Sequence, residues 1–188
     1  MIRGSRLLAV APLALASTVP IPTPIGVGVR YHPGPTSRAV AAARPVAGLR
    51  CSTGDAKRFG VHVELFANDR VVIVPAGIGI APPLRRSEAY VLGGRCSYPA
   101  RTREPTGVVE VETGSRLTLG HLFAIWGQPL SPTRLAGFRT SGRVRAYVGG
   151  RRWRGRLGHI PLRRHAEIVL ELGPFVPPHV TYRFRKGL

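Results

Sequence analysis

The chain has 188 residues, of which 44% are hydrophobic, and a formal net charge of +19. This length predicts one domain with tails, and the apolar content is typical of a protein with a folded core. The 23 glycines and 18 prolines argue against a helical bundle and favour short strands joined by turns.

The chain begins with features typical of export. In residues 1–18, Arg3 and Arg6 precede a short apolar run, and Ala14-Leu15-Ala16 fits a signal-peptidase cleavage site. The run is too short to span a bilayer. Residues 19–50 are rich in proline and glycine, so we predict a poorly ordered tether followed by a single domain at 51–188. This organisation predicts a secreted or extracytoplasmic protein associated with the cell envelope.

Two cysteines, Cys51 and Cys96, are the only ones in the chain. In an exported protein an even number of cysteines favours a disulfide. Nothing in the sequence around either cysteine indicates an activated thiol. We therefore expect a bridge that ties the beginning of the domain to its middle.

The predicted elements follow in order from residue 61. Alternating apolar residues predict a hairpin at 61–75 that turns at Asn68-Asp69, and a strand at 107–112. An apolar stripe with Thr118 as N-cap and Gly127 as stop predicts a helix at 118–127, with His121 exposed. A second hairpin at 144–162 and a strand at 166–172 complete an α+β domain. We expect a mostly antiparallel sheet with one helix packed on it, in a β-grasp-like arrangement.

Arginine supplies nearly all of the positive charge, and ten arginines lie between positions 134 and 164. Around Tyr147 and Trp153 we expect a basic surface formed by Arg145, Arg151, Arg152, Arg154 and Arg156, which would bind an anionic polymer or a membrane surface. Nucleic acid is not favoured, because no recognition motif accompanies the charge. The alternative is a solvated hairpin with Trp153 packed, its arginines reflecting codon usage and solubility.

Chemical motifs are few. His62 and Glu64 share one strand face and could supply two metal ligands, but no third ligand lies near them in the sequence. The chain lacks the G-x-S-x-G, P-loop and dinucleotide-binding signatures. We name no catalytic residue and no cofactor, and we favour a protein that is not an enzyme.

Several segments together carry a resemblance: HVELFANDRVVIVPAGIGI, CSYPARTREPTGVVEVE, TLGHLFAIWGQPLS, VRAYVGGRRW, IPLRRHAEIVLELG and YRFRKGL. In this order they resemble an uncharacterised family of secreted bacterial proteins, over roughly residues 51–188. Typical members carry an H-x-H-x-H-L motif before the first turn and a W-L-H-T-H-D motif before a later strand. So many histidines in one sheet imply a metal site in that family.

This chain departs from the family pattern at those histidines. His62 matches the last histidine of the first motif, whereas Arg58 and Gly60 stand at the other two positions. In the second motif the corresponding residues are Arg101, Arg103 and Glu104, and Glu110 replaces a strand histidine. Arginine does not ligate zinc or copper, so the family's site is dismantled here. We expect His62, Glu64, Arg101, Arg103, Glu104 and Glu110 to bind an anion or to pair with one another.

These observations predict a secreted, basic, non-enzymatic domain that binds an anionic partner at the cell envelope. The alternative is a zinc- or copper-binding protein whose histidine site is degenerate. A purely structural envelope module fits the same sequence. The sequence does not indicate an oligomeric state.

Overall fold

A ten-residue strand, Arg58–Ala67, lies at the centre of the computed structural model. The structure describes Gly26, residues 28–33 and residues 37–188. The predicted signal peptide at 1–18 lies outside the described residues, as do residues 19–25, 27 and 34–36 of the predicted tether.

The described residues form mostly short strands, with two α-helices and one 3-10 turn. The helices are α1 (Arg38–Ala41) and α2 (Leu119–Trp126), and the 3-10 turn spans Leu157–His159. The strands are β1 (Val29–Tyr31), β2 (Arg58–Ala67), β3 (Arg70–Val72), β4 (Ile80–Ala81), β5 (Arg85–Ser87), β6 (Tyr90–Gly93), β7 (Cys96–Ser97), β8 (Ala100–Arg101), β9 (Val108–Glu112), β10 (Leu130–Ser131), β11 (Arg134–Leu135), β12 (Phe138–Arg139), β13 (Arg145–Val148), β14 (Arg151–Arg152) and β15 (Glu167–Leu172).

The main sheet has the order β1-β3-β2-β15-β13-β14, and β8 and β9 extend it beside the first half of β2. Strands β2 and β3 form the predicted antiparallel hairpin, and Asn68 and Asp69 take positive φ at its turn. Strand β15 pairs with β2 in parallel, as β1 does with β3, so the sheet contains both orientations. The expected sheet-rich fold with one helix packed on it is confirmed.

One face of the sheet packs against α2 to form the core. Val61, Val63 and Leu65 alternate along β2 and are buried in one hydrophobic cluster with Leu122 and Trp126 of the helix. The helix ends at Gly127, which is left-handed with φ 76°.

His121 is half-buried rather than exposed, because its Nδ1 accepts the Thr118 backbone N–H at 3.1 Å and caps the start of α2.

The described part of residues 19–50 packs on the domain instead of extending from it. Strand β1 adds to the edge of β3, and Val40 and Val46 join the hydrophobic core. The Tyr98 hydroxyl donates to the carbonyl oxygen of Arg44. Prolines limit regular structure in this segment, but they do not prevent apolar side chains between them from being buried.

Cys51 and Cys96 form the predicted disulfide, with their Cα atoms 5.6 Å apart. The bridge joins the start of the domain to β7, beside the backbone pairing of Ser52 with Ser97. Disulfides persist outside the reducing cytosol, so the bridge favours an extracytoplasmic location. Among the described residues, neither helix has the length and apolar character needed to cross a membrane.

Residues 173–188, here called the C-terminal strap, cover the face of the sheet opposite α2. The Tyr182 ring stacks on His62 with centroids 3.9 Å apart, and Phe184 lies directly over Gly60. At the end of the strap, His165 Nε2 donates to the Leu188 carbonyl oxygen at 2.7 Å. The strap lacks regular secondary structure, so side-chain contacts hold it in place.

Replacing both cysteines by alanine should lower the free energy of unfolding by about 4 kcal/mol, the chain-entropy effect for a loop of this size. The two cysteines are 45 residues apart in sequence. Urea unfolding of the Cys51→Ala/Cys96→Ala variant measures this loss, and the wild type in dithiothreitol should show a similar one. An unchanged midpoint in both would contradict the prediction.

Gly60→Ala should loosen the C-terminal strap, because a Cβ at this position would overlap the Phe184 ring. We expect a loss of about 1–3 kcal/mol in unfolding free energy, as for other overpacked sites. Trypsin cleavage after Arg183 should also become faster. The matched control is Gly54→Ala, where the nearest atom is Ser52 Oγ at 3.5 Å. Equal cleavage rates in the two variants would contradict this role of Gly60.

Candidate functional site

The face of the sheet beneath the strap is lined with charged residues. The chain has nine acidic residues, and five of them are buried: Glu64, Glu104, Glu110, Glu167 and Glu171. Buried carboxylates require cationic or hydrogen-bonding partners, because leaving water is costly for an unpaired charge. The strap and the neighbouring strands supply those partners.

His62 lies at the centre of this face and is fully buried. Its Nδ1 is 2.9 Å from the carboxylate of Glu167, which lies opposite it on β15, and 3.7 Å from Glu64. Its Nε2 is 2.8 Å from the Thr106 carbonyl oxygen. A carbonyl only accepts hydrogen bonds, so Nε2 carries a proton and Nδ1 faces the two carboxylates. One donor atom from each of His62, Glu64 and Glu167 lies within 4.8 Å of the others, close enough to hold a metal ion.

Two residues of the strap complete this cluster. His179 Nδ1 lies 2.8 Å from the Glu64 carboxylate, and Tyr182 covers the His62 ring. Glu167, His179 and Tyr182 are members of the site that the sequence did not predict. Glu167 could have been found, since the alternation that places Ile168 in the core puts Glu167 on the opposite face. The strap residues gave no periodic signal.

Burial raises the pKa of two groups in this region. It raises the pKa of Glu167, although the hydrogen bond and charge of His62 oppose the shift. Burial also raises the pKa of the Tyr182 phenol, and the nearby Glu104 carboxylate adds to this effect. Burial therefore makes both groups harder to ionise than they are in water.

A second cluster lies beside the first along β2. Arg101 Nε donates to Glu110 at 2.8 Å, and Arg185 of the strap contacts both Glu110, at 2.8 Å, and Glu104, at 3.7 Å. The predicted pairing of Arg101 with Glu110 is therefore present. Arg103 does not join either cluster, because its Nε donates to the Val91 carbonyl oxygen at 3.0 Å.

The positions at which the resemblance implies histidines have other roles here. Arg58 is largely buried and donates to the carbonyl oxygens of Tyr98 and Pro99. Gly60 leaves the space that Phe184 occupies. Among the described residues, His62 is the one residue at these positions that belongs to the group able to hold a metal ion.

Arg101 and Arg103 also line a cleft of about 290 Å³ together with Arg85 and Arg95. Asp55 is the one carboxylate in the lining, and the disulfide forms part of the wall. The excess of guanidinium groups makes this cleft attractive to a small anion.

The predicted basic surface forms on the hairpin of β13 and β14, with one exception. Arg145 points into the charged face, where it contacts Glu171 at 3.1 Å and the carbonyl oxygens of Gly173 and Pro174. Arg152, Arg154 and Arg156 line a groove of about 830 Å³ that contains the half-buried Trp153, whereas Arg151 is exposed but does not line it. The arginines that line this groove are Arg143, Arg152, Arg154 and Arg156.

Comparison of the chain with protein-family models, curated proteins and solved structures finds no match. The resemblance to a secreted bacterial family therefore stays a prediction.

Glu171 provides a test of how burial changes the pKa of a carboxyl group on the charged face. It is fully buried, and burial raises its pKa although Arg145 opposes the shift. A carboxyl group with a raised folded-state pKa stabilises the fold fully below its unfolded pKa. That contribution is lost as the pH rises through the folded pKa.

The wild type should lose stability as the pH rises above the usual carboxyl range. Glu171→Gln should lose less, because a glutamine side chain does not ionise. The difference in unfolding free energy, wild type minus variant, should fall with rising pH, as measured by urea unfolding between about pH 4 and pH 8. The exposed Glu88→Gln serves as control and should follow the wild-type profile. A constant or rising difference for Glu171→Gln would contradict the raised pKa.

Proposed function

We propose that this protein is a secreted, basic, non-enzymatic domain that binds an acidic polymer of the cell envelope. The supporting observation is the groove around Trp153, whose arginines are free to meet a ligand. Across the described residues, the side chains of Arg143, Arg154 and Arg156 take part in no ion pair. Arg152 contacts only Tyr147, through its hydroxyl at 3.3 Å and its ring.

The distribution of acidic residues strengthens this proposal. Five carboxylates lie in the interior, so only Asp55, Asp69, Glu88 and Glu112 remain to oppose the arginines at the surface. The surface is therefore strongly positive, and a polyanion would be attracted from a distance. The hairpin concentrates that charge, because no acidic residue occurs between Glu112 and Glu167.

A polymer fits the groove better than a membrane surface does. Trp153 is half-buried, and its indole N–H donates to the Arg156 carbonyl oxygen at 3.2 Å, so the ring is held within the groove rather than available for insertion into lipid. Guanidinium groups in one groove with an aromatic ring suit a chain of phosphate or sulfate groups separated by sugar or polyol units. Secretion itself rests on the predicted signal peptide and is favoured by the disulfide.

We also propose that the topology is β-grasp-like. The strand order β3-β2-β15-β13, with α2 lying in sequence between the two hairpins, supports this assignment. The arrangement would leave the β13–β14 hairpin at one edge of the sheet, where a polymer has access to it.

The purified protein should bind heparin and a teichoic-type polyphosphate at low salt and release them as salt rises. The range of the attraction shrinks from about 30 Å at 0.01 M salt to about 8 Å at 0.15 M. The triple variant Arg152→Gln/Arg154→Gln/Arg156→Gln should elute from either polymer at clearly lower salt than the wild type.

The matched control, Arg38→Gln/Arg70→Gln/Arg86→Gln, removes the same charge from exposed positions outside the groove. It should elute closer to the wild type. Absence of binding at low salt would overturn the proposal, and equal elution of the two triple variants would show that net charge, not the groove, governs binding. Tighter binding to anionic phospholipid vesicles than to either polymer would replace the polymer with a membrane as partner.

A further inference from the structure

We infer that His62, Glu64, Glu167 and His179 form a site for one divalent transition-metal ion of the Zn²⁺ type, closed by the C-terminal strap. This site is separate from the basic groove and uses none of its residues. It also differs from the histidine site that the resemblance implies, since only His62 belongs to both.

The separations between donor atoms suit a four-coordinate ion. His62 Nδ1 lies 2.9 Å from Glu167 and 3.7 Å from Glu64, and His179 Nδ1 lies 2.8 Å from Glu64. Ligands bound at about 2.1 Å in a tetrahedron are about 3.4 Å apart. The donor atoms of His62, Glu64 and Glu167 lie within 4.8 Å of one another, so small shifts would bring them to a common ion. His179 lies outside this group and contacts Glu64, so the strap would move further to supply it as the fourth ligand. Two imidazoles and two carboxylates are among the ligand types that zinc accepts.

The orientation of His62 is that of a metal ligand. Its Nε2–H is fixed on the Thr106 carbonyl oxygen at 2.8 Å, which directs Nδ1 at the carboxylates. Metal-bound histidines generally donate their second ring N–H to a carbonyl or carboxylate in this way. The backbone thus sets the ring before any ion binds.

Charge balance also favours a divalent cation. Glu64 and Glu167 are almost fully buried, and together they carry two negative charges when ionised. A single M²⁺ ion with two neutral imidazoles would neutralise them.

An entry route exists at the strap. The His179 side chain is 54% exposed, whereas those of His62, Glu64 and Glu167 are at most 4% exposed. The strap lacks regular secondary structure, so moving His179 aside requires the loss of side-chain contacts only. An ion bound by His179 would in turn fix the strap over the sheet.

Metal binding can be tested on the full-length, untagged chain after treatment with EDTA and dialysis. Titration calorimetry with Zn²⁺ should give one ion per chain, and Co²⁺ should develop the visible absorption of a tetrahedral site. His179→Gln should weaken Zn²⁺ binding at least about tenfold, and Glu64→Gln/Glu167→Gln should abolish it. His159→Gln, at an exposed histidine outside the site, should bind as the wild type does.

Strap protection provides a second readout that a merely structural cluster would not change. Zn²⁺ should slow trypsin cleavage after Arg183 in the wild type and in His159→Gln, but not in His179→Gln. Circular dichroism verifies that each variant is folded, and His179→Gln should fold normally because its side chain is half-exposed. No Zn²⁺ binding by the wild type, or binding unaffected by either His179→Gln or the double glutamate variant, would overturn the inference.

Discussion

The structure depends on the pairing of buried carboxylates with cationic groups beneath the C-terminal strap. Ionised carboxylates are costly to bury, and each of these has a partner in place. Two of the partners, His179 and Arg185, come from the strap itself, which also excludes water with the rings of Tyr182 and Phe184. The strap and the charged face therefore stabilise each other, because His179 and Arg185 pair with carboxylates of the face.

Placing the carboxylates inside changes what the surface presents. A chain with net charge +19 is basic in any conformation, but the fold separates the charges by keeping most of the acid under the strap. Arg101 and Arg145 form ion pairs with the buried carboxylates Glu110 and Glu171. The arginines around Trp153 face a groove where solvent or a ligand can contact them. The interior pairing thus determines which arginines are available for the polymer binding that we propose.

The same pairing sets the geometry of the buried histidine cluster that we infer to be a metal site. His62 is held between the Thr106 carbonyl oxygen and two carboxylates, so its Nδ1 and the carboxylate oxygens face one another. Because His179 belongs to the strap, the state of the cluster is linked to how firmly the strap lies on the sheet. The groove around Trp153 takes no part in this linkage, so polymer binding and metal binding can be examined separately.

The sequence by itself determined the local elements and the disulfide. Alternation with the Asn68-Asp69 turn predicted the first hairpin, the capping residues predicted the helix, and two cysteines in a chain with a predicted signal peptide predicted their bridge. Each signal lies within a few residues or depends on composition. Only the tertiary structure decided the parallel pairing that sets Glu167, 105 residues away, against His62. It also decided the path of the strap, because side-chain contacts rather than periodicity hold an irregular segment, and such contacts exist only after the sheet has formed.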